Sequence, residues 1–336
     1  MTDQRWTRRT VMVGLSTALP GLAFATSASP LAATFDVARR LPQLRSLIIT
    51  HRGKILEAEA FRGPPLDRPV NVKSVSKSLI SALTGIAIDR GELSGTDQLI
   101  APLLRRTVPR RADRRVHDIT VGDMLSMRSG LQELSGAAYG VWANSKNWIY
   151  DALSKPMVAD PGTAMLYSTA SYHILGAVLS RVAGTDLHDL AGQRLGVPLG
   201  IDIPEWTRDP QGRFLGGNDM RISPLAMIRF GEMYRRGGDW RSVRVVPRDW
   251  IDRSWTPYTA SVETGHGYGW FLWQTGGYDV IYARGYGGQM IYILPGLEMV
   301  VAMTSDPSRP ARLGGHLGDL NRLLAEWIVP AAESLA

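Results

Sequence analysis

The chain has no cysteine among its 336 residues. That excludes thiol nucleophiles, disulfides and thiolate metal sites together, and it leaves no lipobox cysteine for a lipid anchor. Lysine is scarce, confined to Lys54, Lys73, Lys77, Lys146 and Lys155, so the cations are mostly arginine. No His-Glu-x-x-His pattern or carboxylate cluster suggests a metal, and no cofactor is expected. The absence of Gly-x-Ser-x-Gly argues against a hydrolase built on a nucleophile elbow. No apolar run is long enough to span a membrane, which takes about 20 residues.

What is present begins with charge. The formal net charge is +7, of which Arg5, Arg8 and Arg9 against Asp3 carry +2, leaving +5 for the rest. Six arginines cluster between Arg105 and Arg115 against one acid, Asp113. A nucleic-acid surface would interleave aromatics with these cations, and none occurs there, so the segment reads as a solvated basic loop. Neither a nucleic-acid partner nor an obligate protein partner is expected.

The first 25 residues read as a targeting segment. Arg8-Arg9 precedes an apolar stretch from Val11 to Phe24, interrupted by Pro20, and then the small-residue Ala23-Phe24-Ala25. Basic, apolar and cleavable segments in that order predict a twin-arginine export signal over 1–25. The mature protein is then expected in the periplasm or secreted, without a stable membrane anchor. About 300 remaining residues are ample for a buried core.

Residues 46–61 read as a β-hairpin with a turn at Gly53, and apolar Leu79, Ile80, Leu83 and Ile86 recur at helical spacing after Ser74. Further helices are predicted at 121–127, 170–183 and 224–236. The C-terminal part turns to short β-branched and aromatic runs at 268–274, 278–283, 290–294 and 299–304, punctuated by glycine, and closes with a helix over 313–328. This pattern predicts an α+β fold: an antiparallel sheet flanked by helices and built from both termini, with a mostly helical insertion. The boundaries are one domain over 35–330, with a sheet part at about 40–90 and 240–330 and a helical part at about 91–239.

Ser74-Val-Ser-Lys77 carries the chemistry. Three residues are just under one helical turn, so Ser74 and Lys77 share a face if a helix starts there. Serine needs a base within hydrogen-bond reach, and a lysine serves when burial lowers its pKa. The spacing also fits an exposed helix start with a serine cap, so context must decide. Tyr167 follows the Pro161-Gly162 turn just before a helix, where its phenol could relay a proton beside a lysine. Taken alone it reads as a half-buried tyrosine with its hydroxyl on a backbone carbonyl. Gly285-Tyr286-Gly287-Gly288-Gln289 opens a strand, and an N–H of Gln289 with that of Ser74 would form a two-donor oxyanion hole.

Together Ser74-Val-Ser-Lys77, Pro161-Gly-Thr with Tyr167-Ser-Thr169, and Arg284-Gly-Tyr286-Gly-Gly288 resemble the serine β-lactamase and penicillin-binding-protein superfamily. The likeness is to class C β-lactamases and their esterase and 6-aminohexanoate-dimer hydrolase relatives, and Ile119 to Leu131 is similar to a family helix and turn. The resemblance implies a β-lactamase/transpeptidase-like fold and acyl-enzyme chemistry, with Ser74, Lys77 and Tyr167 catalytic and Thr169, Tyr286, Gly287, Gly288 and Trp142 at the substrate. Thr169 stands where the family has Asn, and Tyr286-Gly287-Gly288 where it has Lys-Thr-Gly. The first removes the side-chain amide that would bind a substrate carbonyl. The second removes the family's lysine near the substrate carboxylate, which favours a small ester or amide substrate over a β-lactam or a D-Ala-D-Ala peptide. The alternatives are a β-lactamase or D-Ala-D-Ala carboxypeptidase, and a catalytically silent binding protein on the same fold.

Overall fold

The computed structural model describes residues 31–260 and 265–334. The proposed export signal lies outside the described residues. An eight-stranded antiparallel sheet organises the molecule. Its strands are β1 (Leu44–His51), β2 (Lys54–Ala60), β3 (Thr259–Ala260), β4 (Gly265–His266), β5 (Phe271–Thr275), β6 (Tyr278–Gly285), β7 (Gln289–Leu294) and β8 (Met299–Ser305). They run β2-β1-β8-β7-β6-β5-β4-β3, so the first hairpin joins the C-terminal meander through the β1–β8 pair. The N- and C-terminal stretches thus meet in one sheet, as the sequence predicted.

Both faces of this sheet are covered, which explains why its inner strands are apolar almost throughout rather than alternating with polar residues. Side chains of a strand point to opposite faces with period two. In β7, Ile291 and Ile293 join the core shared with the helical region, whereas Met290, Tyr292 and Leu294 join a second core on the other face. That second core is closed by helix α1 (Ala32–Arg40), through Leu31 and Phe35, and by C-terminal helical turns through Leu320, Leu324 and Ile328. The C-terminal segment begins at His316 rather than 313 and continues through a wide turn at 323–328 into 329–333.

The long connection between β2 and β3 carries α2 (Ser76–Asp89), α3 (Thr169–Ala183) and α4 (Pro224–Arg235). Twelve of the fourteen residues of α2 are buried, including Lys77, so the helix is enclosed nearly all round and forms the centre of the larger core. Helix α4 falls inside the 91–239 stretch yet packs on the sheet, where Gly231 lets the backbone approach Val300 and Ile291. The short helix at Val121–Leu125 is fixed by a capping box between Thr120 and Asp123.

Candidate active site

Ser74 lies in a single 3-10 turn (Lys73–Val75) that runs directly into α2. Its N–H therefore falls in the first turn, where helical N–H groups have no partner within the helix. Lys77, one turn on and 2 % exposed, donates from Nζ to Ser74 Oγ at 2.9 Å, to the Gly217 carbonyl at 2.6 Å and to Thr169 Oγ1 at 3.4 Å. An ammonium has three N–H donors, and here each has an acceptor. Burial pushes the Lys77 pKa down, opposed by the Tyr167 phenol and Asp219.

Tyr167 comes to the same point from the loop before α3. Its ring lies 5.0 Å from Lys77 Nζ and stacks on Phe271 of β5 at 6.1 Å, with His266 of β4 edge-on at 6.4 Å. Burial alone would raise the phenol's pKa. The Lys77 ammonium, the Ser74 hydroxyl and Arg284 outweigh it, and the net direction is down. Each group shifts the other, so the lysine and the phenol titrate as a pair.

Ser74, Tyr167, Thr169, Tyr286 and Gly288 line one cleft of about 810 Å³. Thr169 is only 4 % exposed, and its hydroxyl is engaged by Lys77 and by Ser135 Oγ at 2.8 Å. Ser135 also accepts the Thr169 N–H at 2.9 Å, so Ser135 presents the polar edge on that wall. Three sequence expectations are corrected. Trp142 is 1 % exposed, packs on Trp148 and His173 and donates Nε1 to the Trp148 carbonyl, so it is core, and Tyr139 lines the cleft instead. Gly287 faces away, since a Cβ there would strike the Asp306 carbonyl at 2.3 Å. Gln289 sits on an interior strand between β6 and β8, and its side chain is tied to the Ser305 backbone at 2.9 and 3.1 Å.

The open strand edge belongs to β6. Its pairing with β5 ends at Tyr282, and beyond that Arg284, Gly285 and Tyr286 line the cleft. Gly285 presses against the Ser74 turn so closely that a Cβ would meet the Val72 carbonyl at 2.3 Å and Lys73 Cβ at 3.0 Å. The Gly285 carbonyl is taken by the Gly288 N–H at 3.1 Å across the hairpin, and Tyr286 is the next residue on the cleft side.

Lys73, Asp219 and Ser135 were not singled out from sequence. Only the placement of Lys73 beside Ser74 was a visible signal, because the others are brought in from distant segments. Among the described residues the one group with metal-ligand geometry is Asp186, His188 and Asp189. It lies outside the cleft lining, and Asp186 already accepts the Asp189 N–H as a helix cap.

Comparison with known proteins bears on the fold and the family. The chain is 28% identical over 189 residues to the D-alanyl-D-alanine-carboxypeptidase/endopeptidase AmpH of Escherichia coli K12, covering 52% of this chain and 48% of that protein. The chain thus spans about half the length of this curated relative. Among solved structures it resembles EstCE1, a hydrolase with promiscuous acyltransferase activity, with a TM-score of 0.73, 18% identity and coverage of 90% and 98% of the two chains. It also resembles a D-stereospecific amidohydrolase from Streptomyces sp., with a TM-score of 0.71, 14% identity and coverage of 89% and 98%. Residues 37–326 match the Beta-lactamase family, and the chain belongs to that family.

Proposed function

We propose that the protein is a serine hydrolase that acts through an acyl-enzyme on small esters or amides. The observation that carries this reading is Lys77 Nζ at 2.9 Å from Ser74 Oγ, with Tyr167 against the same lysine. Ser74 Oγ attacks the substrate carbonyl carbon while its proton passes to the Lys77–Tyr167 pair. The oxyanion accepts the Ser74 N–H and, on the strand side, the N–H of Tyr286 in place of Gln289. Such a donor is worth about 3 to 4 kcal/mol to the transition state. The pair returns the proton to the leaving oxygen or nitrogen as its bond to carbon breaks. Water then attacks the ester on Ser74, gives its proton to the same pair, and Ser74 leaves as the hydroxyl.

The preference for esters and amides over β-lactams rests on two positions. Tyr286-Gly287-Gly288 offers no ammonium on the strand, and the Thr169 hydroxyl is engaged with Lys77 and Ser135 rather than free as a side-chain amide would be. We propose further that Arg8-Arg9 and the apolar segment after it direct twin-arginine export. N-terminal sequencing of exported protein then begins near Thr26, and a start at Met1 contradicts cleavage. The catalytic reading is tested with p-nitrophenyl acetate, a p-nitroanilide and nitrocefin as substrates. Turnover of the ester or anilide that disappears in Ser74→Ala is expected. Turnover that survives in folded Ser74→Ala contradicts the assignment, and efficient nitrocefin hydrolysis contradicts the substrate preference.

A further inference from the structure

Two non-glycine residues beside the nucleophile adopt left-handed backbone conformations, and their side chains bind each other. Lys73 has φ 52° and Asp219 has φ 65°, and Lys73 Nζ meets Asp219 Oδ1 at 3.0 Å. A left-handed residue with a Cβ costs roughly 1–2 kcal/mol, and such strain persists only where surrounding contacts enforce it. The enforcing contacts are visible here. Asp219 also accepts Asn71 Nδ2 at 2.8 Å and Thr207 Oγ1 at 3.2 Å, and the Lys73 N–H donates to Asn71 Oδ1 at 2.8 Å.

The segment that carries Asp219 grips the nucleophile turn from both ends. Met220 accepts the Val72 N–H at 3.0 Å and donates its own N–H to Ser76 Oγ at 3.1 Å, on either side of Ser74. Three residues before Met220, Gly217 holds Lys77 Nζ by its carbonyl. One short stretch, 217–220, therefore fixes both the lysine that activates Ser74 and the lysine that precedes it. Both side chains of the pair are largely shielded, at 22 % and 15 % exposure, so each charge is felt by its neighbours.

Resting on the serine-hydrolase reading, we propose that the Lys73–Asp219 ion pair is a positioning element of the active site. It holds the Ser74 turn in its strained conformation and balances the charge around Lys77 and Tyr167. The other groups facing Lys77 are Tyr167, Tyr172 of α3 at 6.0 Å and His266 of β4, with Arg284 of β6 acting on Tyr167. Removing the Asp219 charge makes this surrounding more positive, and removing the Lys73 charge makes it more negative. A more positive surrounding favours both the neutral amine and the phenolate, so the sign of the effect is the same whichever of the two accepts the Ser74 proton.

The test is the pH dependence of kcat/KM with p-nitrophenyl acetate in Asp219→Asn, Lys73→Met and the charge-preserving Lys73→Arg. Asp219→Asn moves the acid limb to lower pH and Lys73→Met moves it to higher pH. Each shift is about 0.3 pH unit or more, the least expected from a unit charge about 10 Å away in water. Lys73→Arg leaves the limb where it is. A purely structural role lowers the rate without opposed shifts, so limbs that move together or not at all overturn the proposal. Should Asp219→Asn not fold, the difference between Lys73→Met and Lys73→Arg decides alone. Wild-type protein without Ser74-dependent turnover contradicts the hydrolase reading itself, a different result from unshifted limbs.

Discussion

In the proposed mechanism Lys77 is the residue on which the chemistry turns, because its burial and its partners work in opposite senses. The pocket removes water from the ammonium, while Ser74, Gly217 and Thr169 give it acceptors, so both protonation states are held in place. Arginine at this position keeps the charge and cannot release a proton at accessible pH. Lys77→Arg is expected to lower kcat/KM for an ester by about 100- to 10,000-fold, the usual range for loss of general-base catalysis. Steady-state kinetics on the folded variant checks this. His266 makes a separate prediction about stability. Burial, with the Lys77 and Arg284 charges, pushes its pKa down to about 3. The unfolded chain binds a proton at His266 below about pH 6.5 while the native protein does not. Stability from this group is therefore complete above about 6.5 and is lost as pH falls towards 3, by at most about 1.4 kcal/mol per pH unit. Burial also pushes the His173 pKa down, against the pull of Asp209, and this adds to the slope. Denaturant titrations between pH 7 and 4 should show a shallower loss in His266→Gln than in wild type.

Helix α2 is the element that couples core to site, and its packing leaves little room. Gly85 faces Trp250, whose ring atoms would lie 2.3–2.5 Å from an added Cβ. Alanine gains about 1 kcal/mol of helix propensity over glycine, but overpacking a buried ring costs about 1–3 kcal/mol. Gly85→Ala is expected to be destabilising on balance, with a lower urea midpoint and an unchanged slope. The existence of α2 was legible in the sequence from the spacing of Leu79, Leu83 and Ile86, and its start from Ser74. The tight contact at Gly85 was not, because its partner lies more than 160 residues away. The same division holds for the strands. The runs ending near Leu294 and Ser305 announced β7 and β8, but no local pattern marks Gln289 as interior and Tyr286 as open, since that depends on where β5 stops pairing. Helix α1 was missed altogether, because its buried face is three residues, Thr34, Phe35 and Ala38, too few to show a helical period.

Across the whole molecule, one sheet sandwiched between two helical layers holds the cleft at the place where β6 outruns β5. Glu232 of α4 locks one layer to the sheet. It is 1 % exposed, accepts Thr50 Oγ1 of β1 at 2.6 Å and pairs with Arg235 at 2.9 Å. Glu232→Leu leaves Arg235, itself nearly buried, without its main partner and is expected to cost about 3–5 kcal/mol, read as a lower midpoint in denaturant. At this scale the sequence revealed the union of the two termini and the order of the site motifs, because each is a local signature. It did not reveal the 217–220 segment, whose role comes from the contacts it makes across the fold. The central claim is that Ser74 is a nucleophile activated by Lys77. It is tested most directly by treating the purified protein with a fluorophosphonate and locating the modified peptide by mass spectrometry. Stoichiometric labelling at Ser74 that is lost in Lys77→Ala is the predicted result. An unlabelled Ser74 in folded protein, or labelling that survives in Lys77→Ala, would contradict it.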